Sequence, residues 1–227
     1  MRRSLSSRAI TEAIGTAFLL AAIVGSGIMG ERLCAGNVAL LLLTNTLATS
    51  AVLLALIISF GEISGAHFNP AITLATALQK RIEWREGMVY CLAQTAGAFL
   101  GAAMAHLMFG LSPFSPANNI HSGTGQLISE VIASFGLVLI VLTCRHSRPS
   151  AAPFAVPAYI AAAYWFTAST SFANPAVTLA RATSNTFVGI RPLDTPGFIG
   201  AQLLGTLAAT ILVRWLFTAR ITENHEC

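Results

Sequence analysis

The chain has 227 residues, of which 55% are hydrophobic and 10% charged, with a formal net charge of +4 and a mean hydropathy of +0.70. A soluble domain carries about 25% charged residues, so this composition excludes an ordinary soluble globule and points to a chain solvated by lipid. The positive surplus needs no nucleic acid to explain it, because a basic rim beside anionic lipid suffices.

A bilayer core about 30 Å thick takes about 20 apolar residues per helical span, and six stretches fit, at about 10–29, 38–60, 87–109, 125–144, 152–168 and 197–218. The first follows Arg2, Arg3 and Arg8; its length, with no small-residue cleavage site, reads as a retained span and not a signal peptide. In the six-span reading Arg2, Arg3, Arg8, Lys80, Arg81, Arg85, Arg145, Arg148, Arg214 and Arg220 share one side, leaving Arg32, Arg181 and Arg191 on the other. Basic residues collect on the cytoplasmic side, so both termini are expected there. Cys34, Cys91, Cys144 and Cys227 form no C-x-x-C pair and have no histidine at ligand spacing, so neither a disulfide framework nor a metal site is expected. No nucleophile stands with a base and an orienting group, and no Gly-rich phosphate loop occurs, so neither an enzyme nor a cofactor is expected.

The chain repeats itself. Thr11-Glu12-Ala13-Ile14 is answered by Ser129-Glu130-Val131-Ile132, His67-Phe68-Asn69-Pro70-Ala71 by Phe172-Ala173-Asn174-Pro175-Ala176, and Gln94-Thr95-Ala96-Gly97 by Gln202-Leu203-Leu204-Gly205. A second three-span unit that begins on the opposite side of the membrane must be inverted relative to the first. The expected architecture is therefore one all-α membrane domain over 1–227, with repeats at about 8–110 and 125–218. Asn favours the N-cap and Pro the first helical position, so Asn69 and Asn174 should each start a helix. The segment from Asn69 to Lys80 reaches about 18 Å as a helix, too short to cross. Two half-spans entering from opposite faces are expected, and such backbone survives at that depth when protein buries it or when it lines a wet cavity. Gly97-x-x-x-Gly101 and Gly205-x-x-x-Ala209 permit close helix contact, either within a subunit or between subunits. Glu12 and Glu130, ionisable groups inside spans, are functional candidates.

With both Asn-Pro-Ala turns and their flanks in equivalent places, the chain resembles the aquaporin family, the major intrinsic proteins, over about residues 8–218. The resemblance implies six tilted spans plus two half-helices, a pore through each subunit and a homotetramer. It implies a passive channel for water and small neutral solutes, in which the positive tips of two half-helices meet at the pore centre and repel cations. Asn69 and Asn174 would donate to the oxygen of a passing molecule, which breaks a relay of protons along a water chain. The resemblance gives Glu12 and Glu130 a structural task, accepting hydrogen bonds from the re-entrant loops; the alternative is a secondary transporter that uses them as coupling sites. It places His67 on the cytoplasmic half of the pore, where plain packing is the other reading. His106, His121, His146 and His225 have no counterparts and are read as incidental.

Most members carry an arginine directly after the second Asn-Pro-Ala, as part of the outer constriction; here that position is Val177. The family pattern puts the other constriction residues at Thr49, Ser171 and near Ala162, the last within one or two positions because the loop is of variable length. All four are small, so a wide filter without a fixed cation is expected, suited to glycerol-sized polyols or metalloid hydroxides such as arsenous acid. A valine there is similar to the arsenic-resistance-associated bacterial branch. Arg181 lies about one helical turn beyond Val177. It would supply a displaced cation at the outer vestibule, or else reach a carbonyl or a lipid headgroup.

Overall fold

The computed structural model describes residues 3–223, with side chains through Phe217; Arg2, the side chain of Arg220, His225 and Cys227 lie outside the described residues. The fold is all-α. Its helices are α1 (Leu5–Leu33), α2 (Val38–Ser64), α3 (Pro70–Leu78), α4 (Trp84–Met108), α5 (Thr124–Ser147), α6 (Ala152–Phe166), α7 (Pro175–Arg181) and α8 (Thr195–Glu223).

Five helical segments are long and apolar enough to cross a bilayer: α1, α2, α4, α5 and the stretch Pro192–Phe217 that holds most of α8. The sixth expected span, 152–168, forms a helix of 15 residues, about 22 Å at 1.5 Å per residue and shorter than the others. It stops at Thr167, which is extended, because the chain must then turn inward so that Ser169 can donate to Glu130 Oε1 at 2.6 Å. Large apolar side chains such as Ile10, Phe18, Leu47, Leu92, Ile132, Trp165 and Ile211 are exposed. Lipid is their natural solvent. Inside, by contrast, lie Thr16, Asn45, Gln94, Ser134, Gln202 and Thr206. Helices apolar outside and partly polar inside invert the amphipathic pattern of a soluble bundle.

The closest helix contacts are α1 on α4 and α5 on α8. A Cβ at Gly97 or Gly101 would collide with the carbonyls of Ala13 and Ala17, and one at Gly205 with the carbonyl of Val131. These small-residue motifs therefore serve packing within the chain. At one end Arg8 Nη2 meets Glu86 Oε1 at 2.5 Å and joins α1 to α4. Nearby, Arg145 Nη1 donates to Thr76 Oγ1 at 2.8 Å and ties α5 to α3.

Candidate functional site

Two short helices meet tip to tip inside this bundle. Each begins with the same local chemistry. Asn69 Oδ1 accepts from Ala71 N at 2.8 Å, and Asn174 Oδ1 accepts from Ala176 N at 3.0 Å, while Pro70 and Pro175 fill first helical positions that need no N–H. With the oxygen of each carboxamide committed to its own helix, the nitrogen faces the other loop. Asn69 Nδ2 donates to Ala173 O at 2.8 Å, and Asn174 Nδ2 donates to Phe68 O at 2.9 Å. An amide nitrogen carries two hydrogens, so each Asn keeps one for a solute. These are the tips' mutual clamps.

The loops that deliver the tips are braced alike. Glu12 and Glu130 have no exposed surface. Glu12 accepts from Ser64 Oγ at 2.6 Å, His67 N at 3.0 Å, Phe68 N at 2.6 Å and Gln94 Nε2 at 2.8 Å. Glu130 accepts from Ser169 Oγ at 2.6 Å, Phe172 N at 2.9 Å, Ala173 N at 2.9 Å and Gln202 Nε2 at 2.6 Å. Four donors around each group suit an ionised carboxylate. They also hold an unfavourable backbone: Ala66 and Phe68 have φ of 47°, and Ser171 and Ala173 have 52° and 45°. A left-handed non-glycine residue costs about 1–3 kcal/mol, and charge-assisted bonds to its neighbouring N–H groups offset that cost.

A narrow cavity of about 100 Å³ runs past the tips. Its lining is mixed: Leu19, Ile23, Leu137, Val141, Val156 and Ile160 are apolar, and His67, Asn69, Asn174 and Ser171 are polar. At the Arg145 end it opens into a vestibule of about 720 Å³ that shares Gly65, His67 and Arg145. His67 is buried, with Nδ1 3.0 Å from Thr73 Oγ1. Thr73 gives its only hydrogen to Asn69 O, so Nδ1 must be the donor, and Nε2 is left as an acceptor. Neither Glu12 nor Glu130 lines the cavity.

The end away from Arg145 differs from the expected outer constriction. Thr49, Ser171 and Val177 line the cavity, but Ala162 is exposed on the opposite face of α6. Tyr164 takes its place, with its hydroxyl donating to Thr49 Oγ1 at 3.4 Å. Two positions along a helix turn a side chain by about 200°, so the offset carries Ala162 to the outside. Ala152, Val156, Ile160 and Tyr164, spaced by four, form the inward stripe of α6. That spacing was the signal for Tyr164. The wall does hold a cation: Arg181 is buried and lines the same cavity. Its Nε donates to Val188 O, and its guanidinium lies 3.4 Å from the centroid of the Phe172 ring. Tyr164 lies within the two-position margin allowed around Ala162, and with Arg181 it makes the lining neither all small nor free of charge. His106, read as incidental, joins the outer loops, with Nδ1 2.8 Å from Pro113 O and Nε2 2.8 Å from Ser184 Oγ.

Apolar helices surrounding a narrow passage, with two positive helix tips aimed into it, define a membrane channel. The family model for the Major intrinsic protein matches residues 1–163. The chain is 52% identical to Aquaglyceroporin AqpS of Rhizobium meliloti strain 1021 over 212 residues, covering 93% of this chain and 91% of that protein. It is 32% identical to Putative aquaporin NIP4-1 of Arabidopsis thaliana over 140 residues, which cover 60% and 48% of the two chains. The X-ray structure of the aquaglyceroporin from Plasmodium falciparum has the same fold, with a TM-score of 0.64, 20% identity and coverage of 92% and 94%. The chain belongs to the major intrinsic protein family. It is accordingly an integral membrane channel for water and small solutes, and not an enzyme.

Proposed function

We propose that the channel favours small uncharged polyhydroxy solutes, glycerol-sized polyols and metalloid hydroxides such as arsenous acid, with water passing alongside. The observation that carries this reading is the mixed lining of the cavity. A polyol has a carbon side and a hydroxyl side, and the lining supplies apolar side chains from Leu19 to Ile160 together with the polar groups of His67, Asn69, Asn174 and Ser171. Desolvating such a solute costs little when each hydroxyl finds a partner. Val177 supports it too, since a valine in place of the usual arginine leaves room beside the second tip. So does the likeness to a relative described as an aquaglyceroporin.

In this reading Asn69, Pro70, Ala71, Asn174, Pro175 and Ala176 form the pore centre, and the positive tips reject cations. Thr49, Tyr164, Ser171 and Val177 set the outer width. Residues 1–227 form one domain of two inverted repeats, six spans and two half-helices, assembled as a homotetramer in the cell membrane with both termini cytoplasmic. The transporter alternative is disfavoured because both carboxylates are fully occupied by loop donors and stand off the passage. Stopped-flow light scattering of reconstituted vesicles tests the proposal, with water, glycerol and arsenous acid in parallel. Glycerol and arsenous acid should both collapse the osmotic response; passage of water alone would overturn it.

A further inference from the structure

The cavity wall holds a cation, Arg181, that no carboxylate among the described residues pairs with directly. Arg181 is 4% exposed, and Nε to Val188 O is the only hydrogen bond of its side chain among the described residues. One face of the guanidinium is covered by Phe172. Nη1 and Nη2 have no acceptor among the described residues, and the residue lines the cavity. The carboxylates nearby are committed: Glu130 to its four donors, and Asp194 to Arg191 at 2.8 Å and to His121 N at 2.9 Å. Burying an unpaired charge is costly, so a guanidinium kept this way has acceptors to gain from the passage.

A second group points to the same ligand. Ser171 is 3% exposed and lines the cavity, and its Oγ has no hydrogen-bond partner. Thr49 Oγ1 accepts from Tyr164, which leaves the Thr49 hydroxyl hydrogen free to donate. One end of the passage therefore offers a fork of N–H donors and two hydroxyl donors lining the same cavity, with no carboxylate bonded to them among the described residues.

We propose that Arg181, Ser171 and Thr49 form a binding site for one small oxyanion, a carboxylate or a planar inorganic oxyanion, in the outer mouth. A guanidinium fork matches two oxygens of such a group in its own plane, while its stacking on Phe172 fixes that plane. The apolar lining of the same cavity, Leu19, Ile23, Leu137 and Val141, opposes passage of a charged species. The bound oxyanion therefore competes with neutral solutes and is not carried through. The inference rests on the reading of this cavity as the solute path.

Formate and nitrate are the probes, with formamide as the uncharged match for formate and chloride as the ionic-strength control. Glycerol uptake is measured on intact cells, where the outer face is the one exposed, and each variant's inhibition is scaled to its own uptake without oxyanion. In the wild type, formate and nitrate should slow glycerol saturably, and formamide should not. Arg181→Met should lose the inhibition. Arg181→Lys, which keeps the charge and loses the fork, should need roughly tenfold more oxyanion. Thermal stability of purified protein gives a second readout that needs no flux: formate should raise the midpoint above the chloride control in the wild type, and R181K should need roughly tenfold more formate for the same rise. Failure to conduct glycerol with the formate shift intact refutes the passage reading and leaves the site. Equal responses in wild type and R181K, in uptake and in midpoint, overturn the site.

Discussion

Replacing Glu130 with glutamine swaps one acceptor oxygen for a donor, at a point where four donors converge. Two of those donors lose their acceptor. A hydrogen bond to a charged group contributes about 1.5–3 kcal/mol, so the gross loss is about 3–6 kcal/mol. Removing a buried charge returns part of that, leaving a net loss of about 3 kcal/mol. For a chain of this size that is a fall in unfolding midpoint of roughly 6–12 °C, to be read as loss of monodispersity on heating in detergent. Glu12→Gln meets an equivalent set of four donors, so its midpoint should fall by a similar amount. Channel protein that does reach the vesicle should conduct without regard to a proton gradient. Wild-type stability in both variants would refute the bracing argument, and a gradient-dependent flux lost in both would install the carboxylates as coupling sites.

Val177→Arg would put a second guanidinium into the wall that already holds Arg181; glycerol flux should fall by about tenfold or more while water flux persists, an effect of about 1.4 kcal/mol or more on the barrier. Gly101→Leu and Gly205→Leu should each block assembly, because the new Cβ meets backbone of Ala17 or Val131. Overpacking against backbone costs about 3 kcal/mol or more, and the readout is yield of folded protein on size exclusion. Burial pushes His121, in the loop between α4 and α5, below the usual imidazole range, and repulsion from Arg181 adds to the shift. The folded state then prefers the neutral ring and binds fewer protons than the unfolded chain. Stability should be full above pH of about 6.5 and fall as the solution is acidified, with the fall reduced in His121→Asn and visible in thermal midpoints taken across that range.

Much of the pore centre was legible from residue types. Asn, Pro and Ala in that order specify a cap, a first helical position and a small residue, which is local chemistry, and both short helices begin there. The pairing of Glu12 with Glu130 was also legible, because the same landmarks recur in the same order. The outer constriction was read less well. Ala162 and Tyr164 differ by two positions in one apolar helix, and the four-residue spacing that includes Tyr164 does not by itself say which side of α6 faces the cavity and which faces lipid. The rotation is decided by what packs around it, namely Thr49 from α2 and the loop that Glu130 holds.

Arg181 shows the same division. Its distance along the chain from Val177 follows from the sequence. That its guanidinium lies on Phe172, bonded to Val188 and without a carboxylate, is decided by three segments that meet in space. Periodicity and cap chemistry act over a few residues, so the sequence alone determined the lipid-solvated helices, the doubled motif and the two helix starts. Which side chains face the passage depends on helix rotations and on loops braced from distant helices, and tertiary packing alone fixes those.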